Sequence, residues 1–163
     1  MYLKRKIDRT LLEWMNDPRH KPLLMRGARQ VGKTTAVRRL AENFESFVEV
    51  NLEIDDEIRE FIDESFDIQG LISLIEVRYA KRIVPGKTLL FLDEIQSCPN
   101  ARTAIKFLVQ DNSFDFIESG SLLGINYGDV SSYPVGFESQ IEMFPLDFEE
   151  WLWANRVAQP VID

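Results

Sequence analysis

The sequence predicts a three-layer α/β fold, a parallel sheet of about five strands with helices on both faces. Three observations carry this. Short apolar segments of strand length alternate with segments of helical period along the chain. One of them, "TLLFLDE", is a continuous apolar run, the pattern of a strand buried on both faces. Another, "PLLMR", runs into a loop punctuated by two glycines, and a helical pattern follows at once in "GARQVGKTTAVRRL".

The elements read as follows. Asp8 to Met15 is helical, with Leu11, Leu12 and Met15 on one side and Asp8 as its cap. "PLLMR" is the first strand, and Lys33 to Asn43 is a helix that places Val37, Leu40 and Ala41 on one face. "FVEVNLE" alternates as a strand does, Val48, Val50 and Leu52 against Phe47, Glu49 and Asn51. Two helices follow, Asp56 to Glu64 and Ile68 to Arg82, and Pro85-Gly86 separates them from "TLLFLDE". Ala101 to Gln110 is helical, "FDFIES" is a short strand, and "GSLLGINYGDVSSYPVG" is a loop. "SQIEMF" is the last strand, and "DFEEWLWA" opens a helix after Pro145.

A chain of 163 residues can bury a proper core as one domain. No apolar run is long enough to span a bilayer, and the basic N-terminus lacks a signal-peptide core. A single cysteine, Cys98, allows no intrachain disulfide, so the expected location is cytoplasmic. The net charge of −8 argues against direct nucleic-acid binding. Acid is concentrated between Glu45 and Asp67, where ten acidic residues accompany one basic residue, Arg59. A solvated acidic surface is the simpler account, an electrostatic docking face the other.

Gly27-Ala28-Arg29-Gln30-Val31-Gly32-Lys33-Thr34 fits the phosphate-binding pattern G-x-x-x-x-G-K-[ST] at every fixed position. The glycines permit backbone angles closed to other residues and let the main chain approach a ligand. The loop amides then form an anion nest, and the following helix adds its positive end. Lys33 supplies a charge for the β- and γ-phosphates, Thr34 a hard oxygen for Mg²⁺, and Thr35 a hydroxyl for the α-phosphate. Asp93-Glu94 closes the "TLLFLDE" run, and adjacent carboxylates at the end of a buried strand are costly unless their charge is used. Asp93 is the candidate metal carboxylate and Glu94 the candidate base that orients the attacking water. Ser119, at the end of "FDFIES", is the candidate sensor of the γ-phosphate, with Ser121 as the neighbouring alternative. The second carboxylate favours an ATP hydrolase over a small-molecule kinase, which needs no base to activate water. Guanine-recognition patterns are absent, which puts ATP ahead of GTP.

"GARQVGKTT", "LFLDEIQ", "ESGSLLG" and "PVGFESQIEMFPLDFEEWLWA" together resemble the AAA+-type ATPase domain of a large group of predicted bacterial and archaeal ATPases that carry a C-terminal domain of unknown function. The resemblance runs from "RKIDRTLLEWM" to "EEWLWA". It implies a P-loop NTPase fold of the AAA+/ASCE type, with the "FDFIES" strand inserted between the strands bearing the two motifs. It implies Walker A roles for Lys33 and Thr34, Walker B roles for Asp93 and Glu94, and a sensor role for Ser119. It also implies one ATPase core over residues 1–163, with a short helix at 7–16, an exit helix from about 147, and the lid and C-terminal domain absent as in a truncated piece. ATP, ADP, Mg²⁺ and a protein partner or the missing domain are the expected associates, and a homo-oligomer is left open. Neither Arg29 nor Arg102 carries a motif that makes it an arginine finger. The alternatives to an ATPase are a nucleotide-operated binding switch with little turnover and, less favoured, a P-loop kinase. On the exit helix, Phe148, Trp151 and Leu152 either expose an apolar face or pack on this domain's own core. His20, alone of its kind, reads as a loop residue and not a zinc ligand, Cys98 as a structural thiol, and Trp14, Trp151 and Trp153 as packing residues.

Overall fold

The computed structural model describes residues 2–65, 67–104, 114–121 and 138–157. Five strands, β1 (Leu23–Arg26), β2 (Ser46–Asn51), β3 (Thr88–Asp93), β4 (Asp115–Gly120) and β5 (Ser139–Glu142), form one sheet in the order β2-β3-β4-β1-β5. Every pairing is parallel. β4 therefore lies between β1 and β3, as the family resemblance implied. The helices are α1 (Ile7–Asn16), α2 (Lys33–Ala41), α3 (Asp56–Glu64), α4 (Ile68–Tyr79) and α5 (Phe148–Ala154). A 3₁₀ turn spans Ile95–Ser97, and residues 101–104 are helical. The rest of the helix expected to Gln110, and the Gly/Ser/Pro-rich loop past Ser121, lie outside the described residues.

All six residues of β3 are buried, which accounts for its unbroken apolar run. Alternate residues serve two cores. Leu90 and Leu92 join Val48, Val50, Ile58, Ile62 and Leu71 on the α3/α4 face. Leu89 and Phe91 join Leu11, Met25, Val37 and Leu40 on the α1/α2 face. Each such aliphatic side chain, fully buried, stabilises the fold by about 1.5–3 kcal/mol. The same alternation gives Asp93 the parity of Leu89 and Phe91, so its carboxylate belongs to the α2 face. Ser119 shares the parity of Ile117, which is also on that face.

Several boundaries and roles differ from expectation: α2 ends at Ala41, two residues short of Asn43, and Leu12, expected on the packed side of α1, is exposed. Asp8 is not the cap of α1; Lys6 occupies that position without a side-chain bond, and the Asp8 carboxylate accepts the Arg5 amide at 2.9 Å from inside the first turn. α4 stops at Tyr79, where Ala80 turns left-handed with φ 49°. β5 ends at Glu142, two residues early; the Met143 amide still bonds to Arg26 of β1, and Phe144 beyond it is solvent-exposed. Trp14 is a packing residue, its indole N–H bonded to the Lys21 carbonyl at 2.7 Å, but Trp151 is 51% exposed and stacks on the still more exposed Phe148. Trp153, half-buried, has the Lys4 ammonium 4.8 Å from its ring centroid. Leu152 is half-buried, so α5 divides its apolar residues between solvent and the domain. The helix is held at its start by a full capping box, in which Asp147 and Glu150 each accept the other's amide.

Candidate functional site

The carboxyl ends of β1, β3 and β4 converge on one point, the place where open parallel sheets hold their ligands. β1 delivers the glycine loop there. Its two glycines answer to different constraints. Gly32 precedes α2 with φ 102°, a backbone state that side chains rarely adopt. Gly27 is required by space: a Cβ there would stand 2.3 Å from the Met143 carbonyl oxygen. Gln30 takes a left-handed φ of 64° without being glycine.

The Lys33 side chain curls back along the loop. Its ammonium donates to the carbonyls of Gly27 at 2.9 Å and Ala28 at 2.8 Å. Burial lowers its pKa, Glu94 and Asp93 oppose the shift, and Arg29 adds to it. Thr34, the next residue, donates its hydroxyl to Asp93 Oδ2 at 2.7 Å. Ser119 donates to the other oxygen, Asp93 Oδ1, which also accepts the Glu94 amide at 3.0 Å. Asp93 is 4% exposed, so a buried carboxylate is surrounded here by hydroxyls and an amide. Lys33, Thr34, Asp93, Glu94 and Ser119 are thus brought together. Thr35, Ala28, Arg29, Gln30, Val31 and Gly32 border an open cavity of about 520 Å³ beside the loop, lined on the other side by Tyr2, Leu3, Arg5, Met143 and Leu146. Ser121 donates its backbone amide to Gln96 Oε1 at 3.3 Å.

Glu94 sits at φ 56°, ψ 45°, a strained conformation for a side chain of its length. Its carboxylate accepts from the Gln96 side-chain amide, while Gln96 Oε1 receives the Ser121 amide. Gln96 was legible only as part of "DEIQ", with nothing in the sequence to give it this role. Arg5 was missed altogether: it donates to the Val31 carbonyl in the loop from 26 residues upstream.

Of the other candidates, Arg29 stays on the loop and the rest fall away from the site. Arg102 is buried, 2.8 Å from Glu138 and 3.7 Å from Glu118 on the opposite face of the sheet, and belongs to the interior. Arg29 is 65% exposed and 3.6 Å from Glu53. Burial pushes the Cys98 thiol up to about 11, which keeps it protonated and inert. His20 packs on Trp14 with ring centroids 4.5 Å apart and lies 2.9 Å from Asp115. Among the described residues no group of three or more His, Cys, Asp or Glu could hold a metal, and no helix is long and apolar enough to cross a membrane. A magnesium ion needs less from the protein, since it keeps several waters and shares its ligands with phosphates. The Thr34 hydroxyl and the Asp93 carboxylate are hard oxygens already within 2.7 Å of each other, and they fit that demand.

No curated protein matches the chain. Solved structures do, at low identity. DnaA from Aquifex aeolicus bound to AMPPCP aligns with a TM-score of 0.57 and 15% identity over 95% of this chain and 51% of its own. The Walker-type ATPase of Pyrococcus abyssi aligns at 0.56 and 14%, over 91% and 55%. C. elegans PCH-2 aligns at 0.54 and 13%, over 96% and 47%. The chain spans about half the length of these structures, and at such identities the likeness is one of fold: a three-layer P-loop NTPase sheet of AAA+ type. A family model described as AAA domain matches residues 19–152, a span that contains the glycine loop, Asp93-Glu94, Ser119 and the start of α5. The convergence of β1, β3 and β4 on that loop lies within the matched span, and the chain belongs to the AAA domain family.

Proposed function

We propose that this domain binds ATP with Mg²⁺ and hydrolyses it to ADP and phosphate. The observation that carries the reading is the half-buried contact of Thr34 with Asp93 at 2.7 Å, with the Lys33 ammonium in electrostatic reach of Asp93. Lys33 leaves the Gly27 and Ala28 carbonyls for the β- and γ-phosphates, and the loop amides with the α2 N-terminus take up the remaining charge. Thr34 and Asp93 hold the magnesium ion, which screens phosphate charge when bound. Glu94 orients a water in line with the γ-phosphorus and accepts its proton as the new P–O bond forms and the bond to the β–γ bridging oxygen breaks. Ser119, on Asp93 Oδ1, adjusts that carboxylate to the γ-phosphate. Thr35 bonds the α-phosphate, and the cavity lined by Tyr2, Leu3, Met143 and Leu146 receives the base. The whole of 1–163 is read as one such core, cytoplasmic, with a lid, a C-terminal domain or a protein partner completing it.

Calorimetry with ATP, ADP and GTP, with and without Mg²⁺, tests the ligand. Phosphate release by wild type and Glu94→Gln tests the chemistry. The expected outcome is Mg²⁺-dependent ATP binding in both proteins and turnover only in the wild type. Equal turnover by Glu94→Gln removes Glu94 as the base, and ADP formed without phosphate, in the presence of an acceptor, points to a kinase.

A second reading, a nucleotide-operated switch, is favoured by the resting contacts. Lys33 is occupied by its own loop and Glu94 by Gln96. Tight ATP binding with negligible phosphate release supports the switch.

A further inference from the structure

We propose that Arg5 is a positioning residue for the phosphate loop, and that it links nucleotide binding to the seating of α5. The inference rests on the nucleotide reading of the loop. Three contacts carry it. The Arg5 guanidinium donates to the Val31 carbonyl at 2.9 Å and to the Phe144 carbonyl at 2.7 Å, and its Nε lies 3.1 Å from Glu150 Oε1. The Arg5 side chain is 10% exposed and that of Glu150 6%, so this is a desolvated contact and not a surface pair.

The contact at Val31 acts on the cradle through the peptide plane. In a trans peptide the Val31 C=O and the Gly32 N–H point in opposite directions. Arg5 on the oxygen side fixes that plane, and with it the direction of the Gly32 amide. A charged donor on the oxygen also polarises the peptide and makes its N–H a stronger donor to an anion. Gly32 needs such a restraint. At φ 102° it has no side chain to hold it, and a Cβ there would lie 3.7 Å from Arg5 NH1. Arg5 is itself fixed from behind, because its amide donates to Asp8 Oδ2 at 2.9 Å.

The other two contacts reach the segment that leaves β5. Glu150 closes the capping box of α5 and also accepts the Lys6 amide at 2.7 Å. Phe144 follows Met143, whose carbonyl rests against Gly27 at the opposite end of the loop. The 143–150 segment thus meets both glycines through Met143, and the peptide before the second glycine also through Arg5. One guanidinium is shared between the peptide that faces the nucleotide and the first turn of α5. Whatever orders one site favours the other, and linkage makes the effect reciprocal.

The test is nucleotide affinity, Michaelis kinetics and hydrogen exchange on wild type, Arg5→Ala, Arg5→Lys, Glu150→Gln and the Arg5→Ala/Glu150→Gln double variant. Arg5→Ala should weaken binding of a non-hydrolysable ATP analogue about ten- to a hundredfold, the range for a lost charged hydrogen bond. It should raise KM and leave kcat at saturation nearly unchanged. Arg5→Lys, with one charge able to reach one carbonyl, should recover part of the affinity. Glu150→Gln, which touches no loop atom, should weaken binding several-fold, and the double variant should lose less than the product of the two. The analogue should slow exchange of the α5 amides in the wild type and leave them unchanged in Arg5→Ala. Urea titration of each apo protein identifies a variant that has lost its fold, and Glu150→Gln then carries the test. Wild-type affinity in both Arg5→Ala and Glu150→Gln, or equal slowing of α5 exchange in all of them, overturns the linkage. A wild type that binds no nucleotide overturns the nucleotide reading itself and this inference with it.

Discussion

Gly27→Ala separates the two reasons for glycine in the loop. The new Cβ would stand 2.3 Å from the Met143 carbonyl oxygen, about 1 Å short of ordinary contact at 3.4 Å. The obstacle is backbone and cannot rotate away. Met143 is also tied to β1, its amide donating to the Arg26 carbonyl at 2.7 Å, so moving it strains the β1–β5 junction. Overpacking of this kind costs about 1–3 kcal/mol and a distorted hydrogen bond about 0.5–1.5, giving about 2–4 kcal/mol in all. Gly86→Ala is the control. Its φ is 69° with nothing within 4 Å of a Cβ, so it bears only the left-handed penalty of about 1 kcal/mol. Urea titration followed by the fluorescence of the buried Trp14, with the slope compared between variants, measures both. Gly27→Ala should also weaken ATP binding, while Gly86→Ala leaves it intact. If the two variants agree to within about 0.5 kcal/mol and both bind ATP as the wild type does, the close approach of Met143 does not constrain the loop.

Further outcomes follow from the same geometry. Lys33→Ala should abolish measurable nucleotide binding by calorimetry while leaving the thermal midpoint close to wild type, because an ammonium held at lowered pKa by burial adds little to apo stability. Gln96→Ala should change kcat by an order of magnitude or so with little change in nucleotide affinity, since Gln96 holds the Glu94 carboxylate and is not placed on the loop; a KM effect alone would refute this. Glu118 carries a pH signature. Burial pushes its carboxyl well above the usual range, Arg102 opposes the shift and the neighbouring Glu138 adds to it. A folded pKa above the unfolded one means that the native state binds the proton more tightly. That contribution is complete below an unfolded pKa of about 4.3 and is lost as pH rises through the folded pKa. The wild-type melting temperature should therefore fall more steeply than that of Glu118→Gln as pH rises from 5 to 8, and parallel slopes would contradict the assignment.

The strands were legible because their chemistry is local. β3 reads as a strand from its own unbroken run, and Asp56–Glu64 as a helix from its own apolar spacing, matching α3 at both ends. The order of the strands was not in the periodicity; it came from the resemblance. Within the site, Lys33, Thr34, Asp93 and Ser119 were readable because the chemistry requires those residue types in that spacing, and the fold brings them together. Their roles in binding and turnover rest on the experiments above. Arg5 was not readable, because its partner Phe144 lies 139 residues away and a basic residue near an N-terminus has no pattern of its own. Gly27 and Gly32 look identical in sequence, yet one answers to a neighbour's carbonyl and the other to its own φ. Asp8 was misread as a cap because the rule that names caps sees the helix alone, whereas the incoming Arg5 amide claimed its carboxylate from outside.

The left-handed backbone at Glu94 has a consequence for how this domain tolerates change. At φ 56° a glycine or asparagine would sit with less strain than a glutamate, so the wild-type residue is not the one that resists heat best. A library selected for thermal endurance alone should drift toward those residues at position 94. On the role proposed for Glu94, it would return sturdier molecules that still grip nucleotide and no longer consume it.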